Sequence, residues 1–92
     1  MVSATATAVT GAGQVVAAGP ATYRGYSLSA TTAAVVRIFD NPSAPAGILL
    51  DTIALAANTS AQAWYGDGGL RAVQGVYVQV VSGTVEGSVR IG

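Results

Sequence analysis

The amino-acid sequence predicts an all-β fold, a small antiparallel β-sandwich of the jelly-roll type with about eight strands. Helix signals are weak, because the 92 residues include 12 Gly and the many Ala stand beside Thr, Ser and Val, which favour strands. Turn signals recur at short intervals between β-rich runs, which is typical of a sandwich or barrel. These turns are Gly11-Ala12-Gly13, Gly19-Pro20, Asp40-Asn41-Pro42, Pro45-Ala46-Gly47, Asn58-Thr59-Ser60, Gly66-Asp67-Gly68-Gly69 and Ser82-Gly83.

The length of the chain fits one domain. Residues 1–12 include an alternation of Ala and Thr over residues 4–8 that offers little to bury, so we expect residues 1–12 to form an N-terminal arm or an edge strand. Residues 13–92 are expected to form the single sandwich domain. The predicted strands lie near 3–9, 13–18, 22–29, 33–39, 48–56, 61–65, 70–73, 75–81 and 84–91.

Apolar residues repeat with period two in several of these strands, which assigns their faces. Tyr26 and Leu28 share a face, as do Ala34, Val36 and Ile38. The run 48–56 is apolar on both sides and is interrupted by Asp51. Such a strand is either central in a sandwich or pressed against a neighbouring chain, and the sequence leaves both alternatives open.

The last two strands are predicted to form a β-hairpin, since Ser82-Gly83 between them suits a two-residue turn. In that register Val80 faces Val85 and Val76 faces Val89. One face then carries Val76, Val78, Val80, Val85, Val89 and Ile91, and the other carries Tyr77, Gln79, Thr84, Glu86, Ser88 and Arg90.

Charged residues are scarce, at 9% of the chain with zero net charge, against about 25% in ordinary soluble domains. A free monomer with so little charge is prone to associate, so we expect a partner to cover part of the surface. The alternative is that Ser and Thr keep the chain soluble. The sequence contains no run of about 20 apolar residues, so no membrane-spanning helix is predicted. Met1–Thr7 lacks the basic start and apolar block of a signal peptide, which predicts synthesis in the cytoplasm.

Catalysis is not expected, because the chain has no His, Cys or Lys to serve as a base or an activated nucleophile. The acids are spread over separate predicted elements, so a carboxylate pair is not expected either. The segments Asp40-Asn41 and Asp67-Gly68-Gly69 offer oxygen ligands of the kind that calcium binds, but calcium needs six to eight of them and the EF-hand spacing is absent. Turn formation by Asp and Asn explains both segments better. No cofactor is predicted.

Nucleic-acid binding needs a basic patch, and four Arg balanced by four acids do not predict one. The aromatic residues are candidates for contact with a partner instead. Trp64 and Tyr65 are adjacent, so in a strand they point to opposite faces. Core packing is the simpler interpretation for Trp64, and an interface role is expected for Tyr65 or Tyr77. The candidate interface residues are Tyr23, Trp64, Tyr65, Tyr77 and Arg90.

The order of several segments resembles small β-sandwich virion proteins of tailed bacteriophages, of the head decoration or minor capsid type. The segments are Gly19–Leu28, Val36–Ala44, Gly75–Val78 and Ser82–Val89, within residues 15–92, and they are turn and strand patterns. The resemblance implies many copies, commonly trimers, bound to the major capsid protein on the surface of the virion, with no catalytic residue. The alternatives are a structural component of the tail or fibre base, or a carbohydrate-binding module that uses Trp64, Tyr65 or Tyr77 as a platform.

Overall fold

The computed structural model describes residues 5–9, 13–65 and 69–92. Within these ranges the chain forms strands and no helix, and every strand pairing is antiparallel. The all-β prediction is therefore confirmed. The strands are β1 (Thr5–Ala8), β2 (Gly13–Ala17), β3 (Ala21–Ala30), β4 (Ala34–Asp40), β5 (Ile48–Leu55), β6 (Thr59–Trp64), β7 (Leu70–Ala72), β8 (Val76–Ser82) and β9 (Val85–Ile91).

Two sheets pack face to face. Sheet A has the order β1-β9-β3-β6, with the short β7 also paired to β3, and sheet B has the order β2-β8-β4-β5. The pairs β1/β9, β2/β8, β3/β6 and β4/β5 are nested, as in one long two-stranded ribbon. The ribbon is folded over so that β9 joins β3 and β8 joins β4, which is the jelly-roll arrangement. The expected sandwich is thus present, and Thr5–Ala8 is an edge strand of sheet A.

The core lies between the sheets and is built from the inward positions of both. Sheet A contributes Leu28 and Val89, and sheet B contributes Val36, Ile38 and Val78, all at most 2% exposed. The face assignments made from period two hold for these strands. In β8 and β9, the side of Val76, Val78, Val85 and Val89 is the buried one.

The prediction that the last two strands pair as a hairpin is wrong. β8 pairs with β2 and β4 in sheet B, whereas β9 pairs with β1 and β3 in sheet A. Gly83, with a φ of 74°, turns the chain from one sheet to the other. A tight Gly turn and two alternating strands fit a corner as well as a hairpin, because both arrangements bury the same valines. The long-range neighbours of each strand decide between them.

β5 is an edge strand of sheet B, so of the two alternatives that the sequence left open for this run, the central strand is wrong. Its inner side is buried only near the end, at Ile53 and Leu55. At its start, Ile48 is 68% and Leu49 47% exposed, although both are large and apolar. The other alternative, contact with a neighbouring chain, stays a prediction.

An irregularity in β3 sets the position of Tyr23. On the β9 side, Tyr23 lies opposite Ile91 and Gly25 lies opposite Arg90, so Arg24 is an extra residue. This bulge lets Tyr23 and Tyr26 both face the core although they are three residues apart. Gly25 has a φ of 145°, and a side chain there would overlap the backbone carbonyl of Ala63.

Candidate interface surface

An apolar row crosses the outer face of sheet B, the side that points away from sheet A. Val15 of β2 lies opposite Tyr77 of β8, Tyr77 opposite Phe39 of β4, and Phe39 opposite Leu49 of β5. Val15 is 43% and Leu49 47% exposed, and the two aromatic side chains between them are half-buried. We call these four residues the apolar row. It spans all four strands of the sheet.

Polar and apolar rows alternate down the same face. The next row is polar, with Gln79 opposite Arg37 and Arg37 opposite Thr52. Beyond it, Val35 lies opposite Ala54, and the neighbouring Val81 is 45% exposed. Arg37 is the one charged residue on this face in the part of the chain that the structure describes. A single cation between two apolar rows is typical of a surface that meets a partner.

The outer face of sheet A is different. Its strands present small polar side chains, among them Ser27, Ser29 and Ser88, and the exposed Glu86 stands beside them. A shallow depression of about 260 Å³ lies on this face, lined by Ser27, Ser60, Ala61 and Gln62. The two faces of the sandwich therefore differ in chemistry, and sheet B carries the apolar one.

Asp51 joins the two sheets along one edge of the sandwich. It lies on the inner side of β5 opposite Ile38, and its Oδ2 accepts hydrogen bonds from two tyrosine hydroxyls. The hydroxyl of Tyr23 donates at 3.0 Å and that of Tyr65 at 2.6 Å. The two rings are tilted against each other with centroids 5.6 Å apart. The arrangement satisfies a carboxylate placed at an apolar strand position.

The tyrosine pKa values reflect this environment. Burial, and then the negative charge of Asp51, raise the pKa of Tyr23 far above its usual range. Burial and the hydrogen bond to Asp51 likewise raise the pKa of Tyr65, and burial and the Asp51 charge raise that of Tyr26. Tyr23 and Tyr65 are therefore held neutral as hydrogen-bond donors, and none of the three phenols is prepared to act as a base near neutral pH.

Asp40 is a second structural carboxylate, and only 5% of its surface is exposed. Its Oδ2 accepts the backbone N–H of Val73, and its Oδ1 accepts those of Gln74 and Gly75, which closes the loop between β7 and β8. Burial alone would raise the pKa of Asp40, but the three N–H donors outweigh it and hold this pKa below its usual range.

The neighbouring Asn41 forms the turn that the sequence predicts. Its Oδ1 accepts the backbone N–H groups of Ser43 and Ala44, and its Nδ2 donates to the carbonyl of Ala46. The side-chain oxygens of Asp40 and Asn41, which suit calcium in type, thus accept backbone N–H groups instead. Asp67 and Gly68 of the second segment lie outside the described residues. The described ranges hold no group of three His, Cys, Asp or Glu side chains that suits a metal ion.

The structure does not bring the five predicted interface residues into one site. Tyr23 is fully buried in the chain's own core, so its candidacy for a partner contact is wrong. The bulge in β3 turns it inward. Core packing of Trp64 is also wrong, because Trp64 is 54% exposed on the outer face of sheet A. Tyr65 is 40% exposed and lies at the edge beside Asp51.

The remaining candidates occupy opposite faces. Arg90 and Trp64 lie on either side of Gly25 in one row of sheet A, and Arg90 is half-buried. Tyr77 lies on sheet B within the apolar row. It also packs over the backbone of Gly13, where an added side chain would overlap its hydroxyl. Of the five, Tyr77 alone belongs to the apolar surface.

Comparisons with protein-family models, with curated proteins and with solved structures find no match for this chain. Among the described residues, no helix has the length and apolar character needed to cross a membrane. The sequence and its fold therefore carry the functional argument.

Three members of the apolar row were missed by the sequence analysis: Val15, Phe39 and Leu49. Period two in β4 indicates that Phe39 points away from Val36 and Ile38, so its outward position was open to prediction. Its alignment with Val15 and Leu49 was not, because that depends on how three distant segments pair. Asp51 had a local signal, since it interrupts an apolar strand face.

Proposed function

We propose that this chain is a structural virion protein of a tailed bacteriophage that decorates or cements the capsid shell as a homo-oligomer. The observation that carries the proposal is the apolar outer face of sheet B in a chain with only 9% charged residues. A sandwich exposing such a row gains from having it covered, since burial of apolar surface stabilises by about 25 cal/mol per Å². The resemblance of the turn and strand segments supplies the virion context.

The fold supports the proposal in a second way. Jelly rolls are used in viral capsid proteins and lectins, although a fold alone does not decide a function. The carboxylates of Asp40 and Asp51 each accept hydrogen bonds that hold parts of the sandwich together, which suits a structural role. A decoration subunit acts through many weak contacts on one shell, so a modest apolar face on each copy is sufficient.

We assign the apolar row to the contact with the major capsid protein. Docking through the apolar row would also bury the neighbouring Arg37, and an unpaired buried guanidinium is costly. We therefore expect the partner surface to be apolar with a carboxylate opposite Arg37. Two copies of sheet B placed face to face would bring two Arg37 side chains together. The resemblance implies a trimer on the shell, and we propose that this face is the one turned toward the shell protein.

The test is copy number and docking on purified phage heads. Quantitative mass spectrometry of heads is expected to find hundreds of copies at a fixed ratio to the major shell subunit; a few copies per particle would indicate a tail or fibre-base component instead. Leu49→Asp is expected to abolish co-sedimentation with heads that lack the protein, while Ser88→Asp, which places the same charge on the outer face of sheet A, retains most of it. Equal binding by both variants would contradict the assigned face.

A second candidate, carbohydrate binding on the virion surface, is favoured by the exposure of Trp64 beside the polar depression of sheet A. Aromatic rings next to hydroxyl and amide groups suit a sugar ring. Loss of binding on a glycan array by a folded Trp64→Ala variant, with retention by Tyr77→Ala, would support this candidate. Absence of any wild-type signal on the array would exclude it for the glycans displayed.

A further inference from the structure

The free edge of β6 is unusually open to strand pairing. β6 ends the path β1-β9-β3-β6, and no strand of the described residues pairs with its other side. Its six residues contain no charge and no Pro, and they pair with β3 in an unbroken register from Thr59 to Trp64. Natural sheets protect such edges with Lys, Pro, bulges or very short strands. β6 has none of these devices.

The backbone groups available at this edge can be identified. The N–H of Tyr65 donates to the carbonyl of Arg24 at 2.7 Å, which places Tyr65 at a hydrogen-bonded position toward β3. Because the direction of backbone groups alternates along a strand, the N–H and C=O groups of Ser60, Gln62 and Trp64 point to the free edge. The side chains of the same three residues point to the outer face of sheet A.

From this we infer that β6 pairs antiparallel with β6 of a second copy about a two-fold axis centred on Gln62. This register opposes Gln62 to its own counterpart and Ser60 to the counterpart of Trp64, so each outward-pointing N–H meets an outward-pointing C=O. Two-fold symmetry makes the contact self-complementary. The Gln62 amides both donate and accept, so the central pair is also satisfied. The absence of charge in β6 removes any like-charge repulsion between the copies.

Trp64 gives the pairing a second basis. In this register the indole of each copy lies beside Ser60 of the other, at the depression lined by Ser27, Ser60, Ala61 and Gln62. Each exposed indole would thus be covered by a polar recess that the partner offers. The inference rests on the proposed function and deepens it: a two-fold link differs from a three-fold contact, so it joins copies at neighbouring positions of the shell.

The experiment uses the free protein, so it is separate from docking on heads. Sedimentation velocity and native mass spectrometry are expected to show even-numbered assembly for wild type. Gln62→Lys places two ammonium groups opposite each other and is expected to halve the assembled mass. Ser88→Lys adds the same charge to the same face on the central strand β9 and is expected to leave the assembly unchanged.

A cysteine variant tests the register. Gln62→Cys is expected to form an intermolecular disulfide on air oxidation, because opposed residues in a hydrogen-bonded antiparallel pair have Cα atoms about 5.5 Å apart. The chain has no other Cys, and Ser88→Cys is the control that stays reduced. A wild-type monomer, or a trimer that Gln62→Lys does not alter, would overturn the inference. In either case, loss of head binding in Leu49→Asp would still support docking of the apolar row on the shell, which is the part of the proposed function that this experiment leaves untouched.

Discussion

Tyr65 and Asp51 connect the two sheets across an open edge of the sandwich, with the phenol hydroxyl 2.6 Å from Oδ2. Tyr23 donates to the same oxygen from inside the core at 3.0 Å. Asp51 lies on an edge strand, and no other strand of the described residues pairs with the far side of β5, so the two phenols supply contacts that a central strand would receive from its neighbours. This carboxylate therefore acts within the fold, by holding the two sheets together.

Removal of this carboxylate should destabilise the protein. Asp51→Ala leaves the buried Tyr23 hydroxyl without its acceptor, which we expect to lower the free energy of unfolding by about 1–3 kcal/mol. Tyr65→Phe removes one donor from a half-exposed site and should cost less, about 0.5–1.5 kcal/mol. Urea denaturation measures both, with Tyr77→Phe as the control outside the cluster. An Asp51→Ala variant as stable as wild type would show that the bridge contributes nothing.

The same cluster predicts an alkaline limit of stability. Because the folded state raises the pKa of Tyr23 and Tyr65, it disfavours their phenolates, while unfolded Tyr ionises near pH 10. Stability is thus complete below about pH 10 and falls as the pH rises further, since the unfolded chain then releases more protons.

Phenolate absorbance at 295 nm and circular dichroism, followed together, check this limit. The phenolate signals of Tyr23 and Tyr65 should appear only as the protein unfolds. Tyr65→Phe should shift the loss of structure to higher pH. Full ionisation of all four Tyr in a folded protein would contradict the prediction.

Asp40 predicts that the stability of the protein also falls in acid, as the pH decreases. Its pKa is lowered in the folded state, so its contribution is present above the unfolded value of about 3.9 and is lost as the pH falls through the folded value. Asp40→Asn keeps the size but places an amide donor against backbone N–H groups, and should cost at least about 2 kcal/mol at pH 7.

The urea midpoints of wild type and Asp40→Asn, measured between pH 7 and pH 2, check this. The difference between the two should shrink toward the acid end, once Asp40 in the wild type is protonated. A difference that stays constant over this range would show that the charge of Asp40 is not what stabilises the loop.

A substitution at Val78 tests which side of β8 points into the core. It is fully buried in a central strand, so Val78→Asp places an unpaired charge in the core and should abolish the cooperative thermal transition. Gln79→Asp puts the same charge one residue further on the outer face and should remain folded. Circular dichroism melts distinguish them, and a cooperative melt for Val78→Asp would count against the observed facing.

Local sequence determined which residues form strands and which side of each strand is buried. Period two placed Val36, Ile38, Val78 and Val89 inward, because a side-chain alternation needs no knowledge of the partner strand. Gly and Asn turns marked where strands end, since their backbone preferences are local. The scarcity of charge predicts that a partner covers part of the surface, but it does not indicate which part.

Tertiary structure decided which strands are neighbours and therefore which surfaces exist. The valines of β8 and β9 are buried equally well by a hairpin or by two facing sheets, so alternation could not separate these arrangements. The apolar row depends on the register of four strands distant in sequence, and the turn of Tyr23 toward Asp51 depends on one extra residue in β3. Such relations arise from contacts between remote segments, whose pairing is selected by the packing of the whole core.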